Sequence, residues 1–154
     1  MASAWRIVRA SREKTAFTGE GPRRYGGRWN SPGVYVVYVS EHQSTAAFEV
    51  FANRAPFILG EKYKAFHLQW SDSLTEIFPI KKLPTNWRVS PAPAETMEIG
   101  DQWVQERRSA VLALPSAISP ADTNFLLNPD HPDFKRIRIH PPIDFDFDPR
   151  LLGR

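Results

Sequence analysis

The chain has 154 residues, of which 42% are hydrophobic and 12% aromatic, and its formal net charge is +3. This length and apolar content exclude a disordered chain and predict one packed domain over residues 1–154. The absence of cysteine excludes disulfides, thiolate metal sites and cysteine nucleophiles.

The distribution of charge limits where the protein works and what it binds. Charged residues interrupt the first twenty positions, and no later segment is apolar enough to span a membrane, so a cytoplasmic protein is predicted. The basic residues are scattered in pairs and form no stripe with aromatic residues between them, so direct nucleic-acid binding is not expected. A pocket for an anionic small ligand explains part of the surplus charge equally well.

The N-terminal half predicts two strands, a long loop between them, and a helix. Residues 5–8 form a short apolar run typical of a strand, and residues 11–32 are rich in glycine, arginine and turn formers. A loop of that length in a compact domain is usually functional. Residues 34–39 are β-branched and aromatic, which indicates a strand buried on both faces. Ser40 is the predicted N-cap of a helix that runs to about Asn53.

The C-terminal half adds further strands and a second helix. Residues 63–70 alternate well enough for a half-buried strand, and residues 76–80 are a shorter candidate. Pro91 and Pro93 precede a predicted helix over residues 94–108. Three more strands are predicted, over residues 111–114, 124–127 and 136–140, and the tail 141–154 is the least defined segment. Strands dominate over two main helices, which predicts an α+β fold.

Several catalytic signatures are missing. The four histidines have no metal-ligand spacing, so no metal site is expected: His42, His67, His131 and His140. Residues 19–24 begin like a dinucleotide fingerprint but lack its third glycine, and neither a phosphate loop nor a hydrolase nucleophile elbow occurs.

The segment Gly26-Gly27-Arg28-Trp29-Asn30 is the first candidate for a ligand site. Glycines let the backbone approach a ligand, and the arginine side chain binds phosphate through parallel hydrogen bonds. A glycine turn with a surface arginine is an equally good interpretation of this segment by itself.

Four further positions are candidates, and none of them is decisive by itself. Tyr38 lies in a predicted strand, where a tyrosine is most often part of the core. Glu49 lies among small helical neighbours that leave room for a ligand, although an exposed glutamate is the ordinary case. Ser116 follows a strand end, where its hydroxyl can meet a substrate. Asn128 lies in a proline-rich turn that it could simply be fixing.

Taken together, the order and spacing of these residues resemble the RES-domain family, the toxin half of a class of bacterial toxin–antitoxin pairs. The arginine, glutamate and serine that give the family its name match Arg28, Glu49 and Ser116. The family's strand tyrosine matches Tyr38, and its closing Asn-x-Leu-x-Asn-Pro-x-His-Pro pattern matches residues 124–132. The likeness extends over residues 5–139, and the entry loop, residues 11–24, is longer than in the simplest family pattern.

The resemblance implies a fold like that of ADP-ribosyltransferases, with a mixed β core and a few flanking helices. It also implies an activity that consumes NAD as a substrate without a metal. The implied partner is an antitoxin with a helix-turn-helix DNA-binding domain that blocks the cleft, and the resemblance leaves open a homo-oligomer of the toxin within the complex.

The family likeness also suggests roles for the matching residues. The expected catalytic set is Arg28, Tyr38, Glu49 and Ser116, and the expected NAD contacts are Gly27, Arg28, Asn30, Tyr38, Ser116 and Asn128. In this scheme Arg28 holds the pyrophosphate, Tyr38 packs on the nicotinamide or ribose, and Ser116 hydrogen-bonds the nicotinamide-ribose end. Nicotinamide leaves NAD as a neutral molecule, so Glu49 suffices as the single carboxylate, without a general acid.

Three hypotheses follow for the activity. The first is cleavage of NAD with water or phosphate as the acceptor, and the second is transfer of ADP-ribose to a protein. The third belongs to a different class, a non-catalytic module whose basic surface binds nucleic acid.

Overall fold

One eight-stranded mixed sheet organises the computed structural model, which describes residues 1–153. The strands are β1 (Ala2–Arg9), β2 (Val37–Ser40), β3 (Tyr63–Trp70), β4 (Thr75–Ile77), β5 (Val111–Pro115), β6 (Thr123–Leu127), β7 (Arg138–Ile139) and β8 (Ile143–Phe145). The α-helices are α1 (Glu20–Tyr25), α2 (Gln43–Arg54) and α3 (Ala94–Gln105). Short 3-10 helices occupy several of the connections.

The strand order brings segments that are distant in sequence together at the middle of the sheet. The order is β4-β5-β6-β2-β1-β3-β7, and β8 also pairs with β3. Only β4 and β5 are parallel, and the other pairs are antiparallel. β6 lies between β5 and β2, so residues 123–127 lie near the centre of the sheet and the start of β6 faces the end of β2.

The sheet is strongly curled around its main core. The rings of Trp70 on β3 and Phe125 on β6 lie 5.1 Å apart, edge to face. In a flat sheet, strands three places apart are separated by about 14 Å. The concave face therefore closes on itself around a cluster of buried apolar side chains from β1, β2, β3, β5 and β6.

Helices α2 and α3 both cover the convex face. Ala46 of α2 packs near Ile7 and Ala65, which are cross-strand partners on β1 and β3. On the other half of this face, Trp103 of α3 is fully buried against Leu112 and Leu126. The two helices thus leave the ends of β2, β5 and β6 between them, and the candidate site lies there.

Much of the predicted fold is confirmed. The α+β architecture is correct, and the strand predicted over residues 63–70 has those bounds. The first strand is longer than predicted, because β1 pairs with β3 along its whole length. The predicted loop 11–32 contains the helix α1, and part of the tail 141–154 forms β8, while Arg154 lies outside the described residues.

The prediction of Ser40 as a helix N-cap is wrong. Ser40 is the last residue of β2, where it is paired with Trp5 and Asn124, and its hydroxyl donates to the Asn124 side chain at 2.7 Å. Helix α2 begins at Gln43 instead, after His42. The hydroxyl is used across the sheet because a long-range partner replaces the local one.

Three other predicted elements differ at their bounds. Strand β2 covers only the end of the predicted strand 34–39, and β7 covers only two residues of the predicted strand 136–140. Helix α3 stops at Gln105, before the predicted end at Arg108. The reason is local, since Arg107 has a positive φ of 52°, which breaks the helix.

Candidate active site

The glycine–arginine segment forms one corner of the site by closing on β2. The Tyr38 hydroxyl donates to Asn30 Oδ1 at 2.5 Å and accepts from the Trp29 backbone N–H at 3.1 Å. A Cβ atom on Gly27 would lie 2.5 Å from the same hydroxyl oxygen. Only glycine allows this approach, so Gly27 is required for packing against Tyr38.

Asn30 holds this segment in place through hydrogen bonds from its buried side chain. Its side chain is fully buried, and its amide donates to the backbone carbonyls of Pro22, Ser31 and Val34 at 2.8, 3.3 and 3.2 Å. With its oxygen occupied by Tyr38, the side chain has no free group for a ligand. These contacts suit a residue that positions Tyr38, while the NAD contact expected for Asn30 stays a prediction.

Burial also fixes the protonation of the tyrosine. Loss of solvent raises the pKa of Tyr38 well above its ordinary value, although the hydrogen bond from Trp29 acts in the opposite direction. The phenol is neutral at physiological pH. Its one hydroxyl proton is donated to Asn30, so Tyr38 can pack against a ligand through its ring, and it cannot act as a base.

Arg28 reaches from this corner to the connection between β4 and α3, residues 78–93. Its Nη1 donates to the carbonyl oxygens of Trp87 and Val89, both at 2.8 Å. The indoles of Trp29 and Trp87 stack beside it at 6.3 Å. The guanidinium is therefore held in place, and its Nε and Nη2 groups donate no hydrogen bond within residues 1–153.

The charge of Arg28 interacts with that of the candidate carboxylate, Glu49. Burial lowers the pKa of Arg28 from its ordinary value, Glu49 opposes this shift, and Arg88 contributes to it. The guanidinium of Arg28 is thus close enough to Glu49 for the two charges to attract each other.

Glu49 projects from the face of α2 that packs on the sheet. Thr45 and Ala46, one turn earlier on the helix, are buried. Residues spaced by three or four positions share a helical face, so the carboxylate is directed toward the ends of β5 and β6. The position of Glu49 thus fits a functional role better than that of an ordinary exposed glutamate.

One oxygen of Glu49 is held by two side chains that come from later in the sequence. Ser116 Oγ donates to Glu49 Oε1 at 3.1 Å, and Asn124 Nδ2 donates to the same atom at 2.8 Å. Ser40 completes the chain by donating to Asn124 Oδ1, which fixes the orientation of the amide. The second carboxylate oxygen, Oε2, accepts no hydrogen bond from residues 1–153 and is left for a ligand.

The sheet register explains how these residues meet. Ser40 is paired with Asn124, and Asn124 is paired with Leu114 on β5. Ser116 lies two residues beyond Leu114, and Tyr38 lies two residues before Ser40. Residues two apart on a strand share a face, so the four polar side chains line one face of the sheet.

Ser116 is held by the turn that follows β5. Its hydroxyl accepts from the backbone N–H groups of Ile118 and Ser119, both at 3.2 Å, while it donates to Glu49. The side chain is fully buried. The hydroxyl is therefore fully hydrogen-bonded within the protein and orients Glu49, while its expected contact with the nicotinamide-ribose end stays a prediction.

Asn128 does not join the others. It follows the far end of β6, whereas Asn124 lies near the start of that strand. The Asn128 side chain is buried and accepts from the Asp130 backbone N–H at 3.0 Å. This contact fits the alternative explanation, that Asn128 fixes a turn, and the NAD contact expected for Asn128 stays a prediction.

Sequence reasoning missed two members of the site. Asn124 was available as the first residue of the family's closing pattern, but its contact with Glu49 depends on a strand pairing that no local pattern shows. Ser40 gave no signal of its own, because a serine before a helix is ordinarily a cap. Two absences complete the description of residues 1–153: no group of three potential metal-ligating side chains occurs, and no helix is long and apolar enough to cross a membrane.

Comparison with known proteins identifies the class. The RES domain model matches residues 3–148, and the chain belongs to the RES domain family. It is 36% identical to Toxin Res of Yersinia enterocolitica, over 96% of this chain and 97% of that protein. It is 33% identical to the Prs ADP-ribosylating toxin of a Sphingobium species, over 99% of this chain and 98% of that protein.

A solved structure shares the fold. A chain in the crystal structure of the MbcT–MbcA toxin–antitoxin complex of M. tuberculosis superposes with a TM-score of 0.77 and 17% sequence identity. The match covers 99% of this chain and 87% of that chain. The ADP-ribosyltransferase-like fold expected from the family resemblance is confirmed.

Proposed function

We propose that the protein is the toxin of a bacterial toxin–antitoxin pair and that it depletes NAD by cleaving the bond between nicotinamide and ribose. Membership of the RES domain family and the toxin names of its relatives support this proposal. The observation that carries the chemistry is the Glu49 carboxylate, with one oxygen fixed by Ser116 and Asn124 and the other free.

The reaction suits a site with a single carboxylate. The nicotinamide of NAD carries the positive charge, so it departs as a neutral molecule when the glycosidic bond breaks. Positive charge then develops on the ribose, where a preorganised carboxylate stabilises it. Glu49 meets this need through Oε2 by accepting hydrogen bonds from ribose hydroxyls. No second carboxylate is needed to protonate the leaving group, unlike in an ordinary glycosidase.

The segment that carries Arg28 binds the pyrophosphate of NAD, on the other side of the ribose from the bond that breaks. Arg28 offers the donors that its backbone contacts leave free to the pyrophosphate oxygens. Tyr38, held by Asn30 beside Gly27, packs against the ribose or nicotinamide. Water or inorganic phosphate then attacks the ribose and gives ADP-ribose or its phosphorylated form.

NAD turnover by purified protein tests this function. We expect Glu49→Gln to lower turnover by at least about 100-fold, because the amide keeps the shape and loses the charge that stabilises the transition state. Glu98→Gln is the matched control, since Glu98 is an exposed glutamate on α3. Mass analysis of the products distinguishes ADP-ribose from its phosphate. Equal turnover by Glu49→Gln and wild type would contradict the assignment.

ADP-ribosyl transfer to a protein is the second candidate. It is favoured by the relative named Prs ADP-ribosylating toxin, which is 33% identical over nearly the whole of both chains. The same oxocarbenium-like state serves both reactions, and only the nucleophile differs. With adenylate-labelled NAD and a lysate, label on a protein band supports transfer, whereas label confined to free ADP-ribose or its phosphate supports depletion.

The proposed partner is an antitoxin that covers the cleft and carries a helix-turn-helix DNA-binding domain. The structural neighbour was solved as a toxin–antitoxin complex. Apolar side chains lie exposed beside the site, with Val89 52% and Ile118 39% accessible, and a partner that covers the cleft would bury them. Co-expression with the neighbouring gene is expected to restore growth and to stop NAD loss, and persistent NAD loss in a stable complex would overturn this arrangement.

A further inference from the structure

Arg88 was not among the candidate residues identified from the sequence. It links the segment that Arg28 holds with the turn after Ser116. Its Nε donates to the carbonyl oxygen of Ala117 at 2.9 Å, next to Ser116. The carbonyls on either side of it, those of Trp87 and Val89, are the two that Arg28 holds. Arg28 therefore fixes the backbone on either side of Arg88.

The two guanidinium groups form a local excess of positive charge. Arg88 is exposed, its Nη1 and Nη2 donate no hydrogen bond within residues 1–153, and it forms no ion pair there. Arg28 is likewise without a paired carboxylate in contact. The proximity of Arg88 contributes to the lowered pKa of Arg28. Such an arrangement is unfavourable without an anion and is stabilised when one binds.

We infer that Arg88 is a second pyrophosphate-binding residue, and that Arg28 and Arg88 together clamp the two phosphates of NAD beside Glu49. The bond from Arg88 Nε to the carbonyl oxygen of Ala117 brings the guanidinium to the residue that follows Ser116, whose hydroxyl donates to Glu49. Arg28 then has two roles, since it orients the segment that carries Arg88 and also contributes its own donors. This inference rests on the proposed function, because it assigns a ligand subsite within the same cleft.

The test measures binding of ADP-ribose by calorimetry alongside NAD kinetics. We expect Arg88→Gln, which keeps a donor and loses the charge, to weaken ADP-ribose binding by at least about tenfold. The KM for NAD is expected to rise while kcat changes little, and the affinity of the variant is expected to depend less on salt than that of wild type. Arg138→Ala is the control, because Arg138 is an exposed arginine on β7, at the opposite edge of the sheet.

The outcomes separate this inference from the proposed function. If wild type consumes NAD and Arg88→Gln binds ADP-ribose within about twofold of wild type, the clamp is wrong and the proposed function stands. If Arg88→Ala loses affinity while Arg88→Gln keeps it, the bond to Ala117 is what matters, and the charge role is overturned. A wild type that neither consumes NAD nor binds ADP-ribose contradicts both.

Discussion

Glu49 is held through only one of its two carboxylate oxygens, and this asymmetry is the central feature of the site. Ser116 and Asn124 converge on Oε1, and Ser40 fixes the amide of Asn124. A carboxylate that is already oriented needs no reorganisation when positive charge develops on the substrate. We therefore expect the serine of the family signature to act as a positioning residue of the glutamate.

Asn124→Asp tests this positioning. The substitution removes the N–H donor and sets a second carboxylate against Glu49, so we expect kcat to fall by about 100-fold with the fold retained. Steady-state kinetics with circular dichroism measure both quantities. Asn128→Ser serves as the comparison, because a serine oxygen can still accept from Asp130. Normal activity in Asn124→Asp, or an equal loss in Asn128→Ser, would show that the assignment of the two asparagines is wrong.

Tyr38 makes a pH-dependent contribution to stability. Its folded pKa is raised, mainly by burial, so the protonated form is favoured in the native state. The contribution is therefore complete below the unfolded pKa of about 10 and is lost as the pH rises through the folded pKa.

We expect the free energy of unfolding to decrease above about pH 10, and to decrease less steeply in Tyr38→Phe. Urea denaturation at about pH 8 and about pH 10.5 provides the measurement. The variant is expected to be less stable than wild type at the lower pH, because Asn30 and Trp29 lose their shared partner. Identical pH dependence in both proteins would refute the assignment of Tyr38 as the buried titrating group.

At the scale of elements, α3 supports the arginine corner from behind. A Cβ atom on Gly100 would lie 1.7 Å from the backbone oxygen of Trp29, so helix and segment touch through their main chains. The next residue, Asp101, accepts from the Ser31 backbone N–H at 2.8 Å. The position of Arg28 thus depends on a helix that contributes no side chain to the proposed chemistry.

Gly100→Ala is expected to lower the free energy of unfolding by at least about 2 kcal/mol, since the added methyl group forces α3 away from the backbone of Trp29. The displaced corner is also expected to lower NAD turnover by the folded protein. Gly21→Ala is the matched control, because a Cβ atom there meets no atom within 4 Å. Thermal unfolding of both variants gives the comparison, and equal stability would show that α3 and the Trp29 segment are not in such close contact.

The elements also show how far the sequence predicts this structure. The alternation over residues 63–70 predicts β3 with its observed bounds, because the pattern of side chains directly reflects one half-buried strand. The errors fall where a distant segment decides the outcome. Ser40 has a sequence typical of an N-cap, but pairing with β6 keeps it in the sheet.

The site residues also divide into those that the sequence identifies and those that depend on long-range contacts. Arg28, Tyr38, Glu49 and Ser116 were identified through family resemblance, and the structure brings their corners together around one face of the sheet. Three further residues could be found only from the structure. Asn124 and Ser40 depend on the strand order, and Arg88 depends on the path of residues 78–93. Asn128 lies at the other end of β6 from Asn124, and a sequence pattern does not show which end of a strand lies beside Glu49.

At the scale of the whole molecule, the proposed site joins separate parts of the chain, so ligand binding should stabilise the native state as a unit. In Glu49→Gln, NAD is expected to remain intact and to raise Tm by several degrees, because a ligand at about 100 times its Kd stabilises by about 2.7 kcal/mol. Differential scanning fluorimetry with NAD measures the shift, and adenosine, which lacks the pyrophosphate, is the control ligand. An equal shift with adenosine would argue against recognition through the phosphates.

The central place of β6 has a consequence for synthesis of the protein in the cell. A nascent chain that ends at Pro115 already contains Arg28, Tyr38 and Glu49, yet it lacks Ser116, Asn124 and the strand that joins β5 to β2. At about 5–20 residues per second, the ribosome adds residues 116–127 in about 1–2 s. The candidate site therefore cannot be completed until β6 has been synthesised and has paired with β5 and β2.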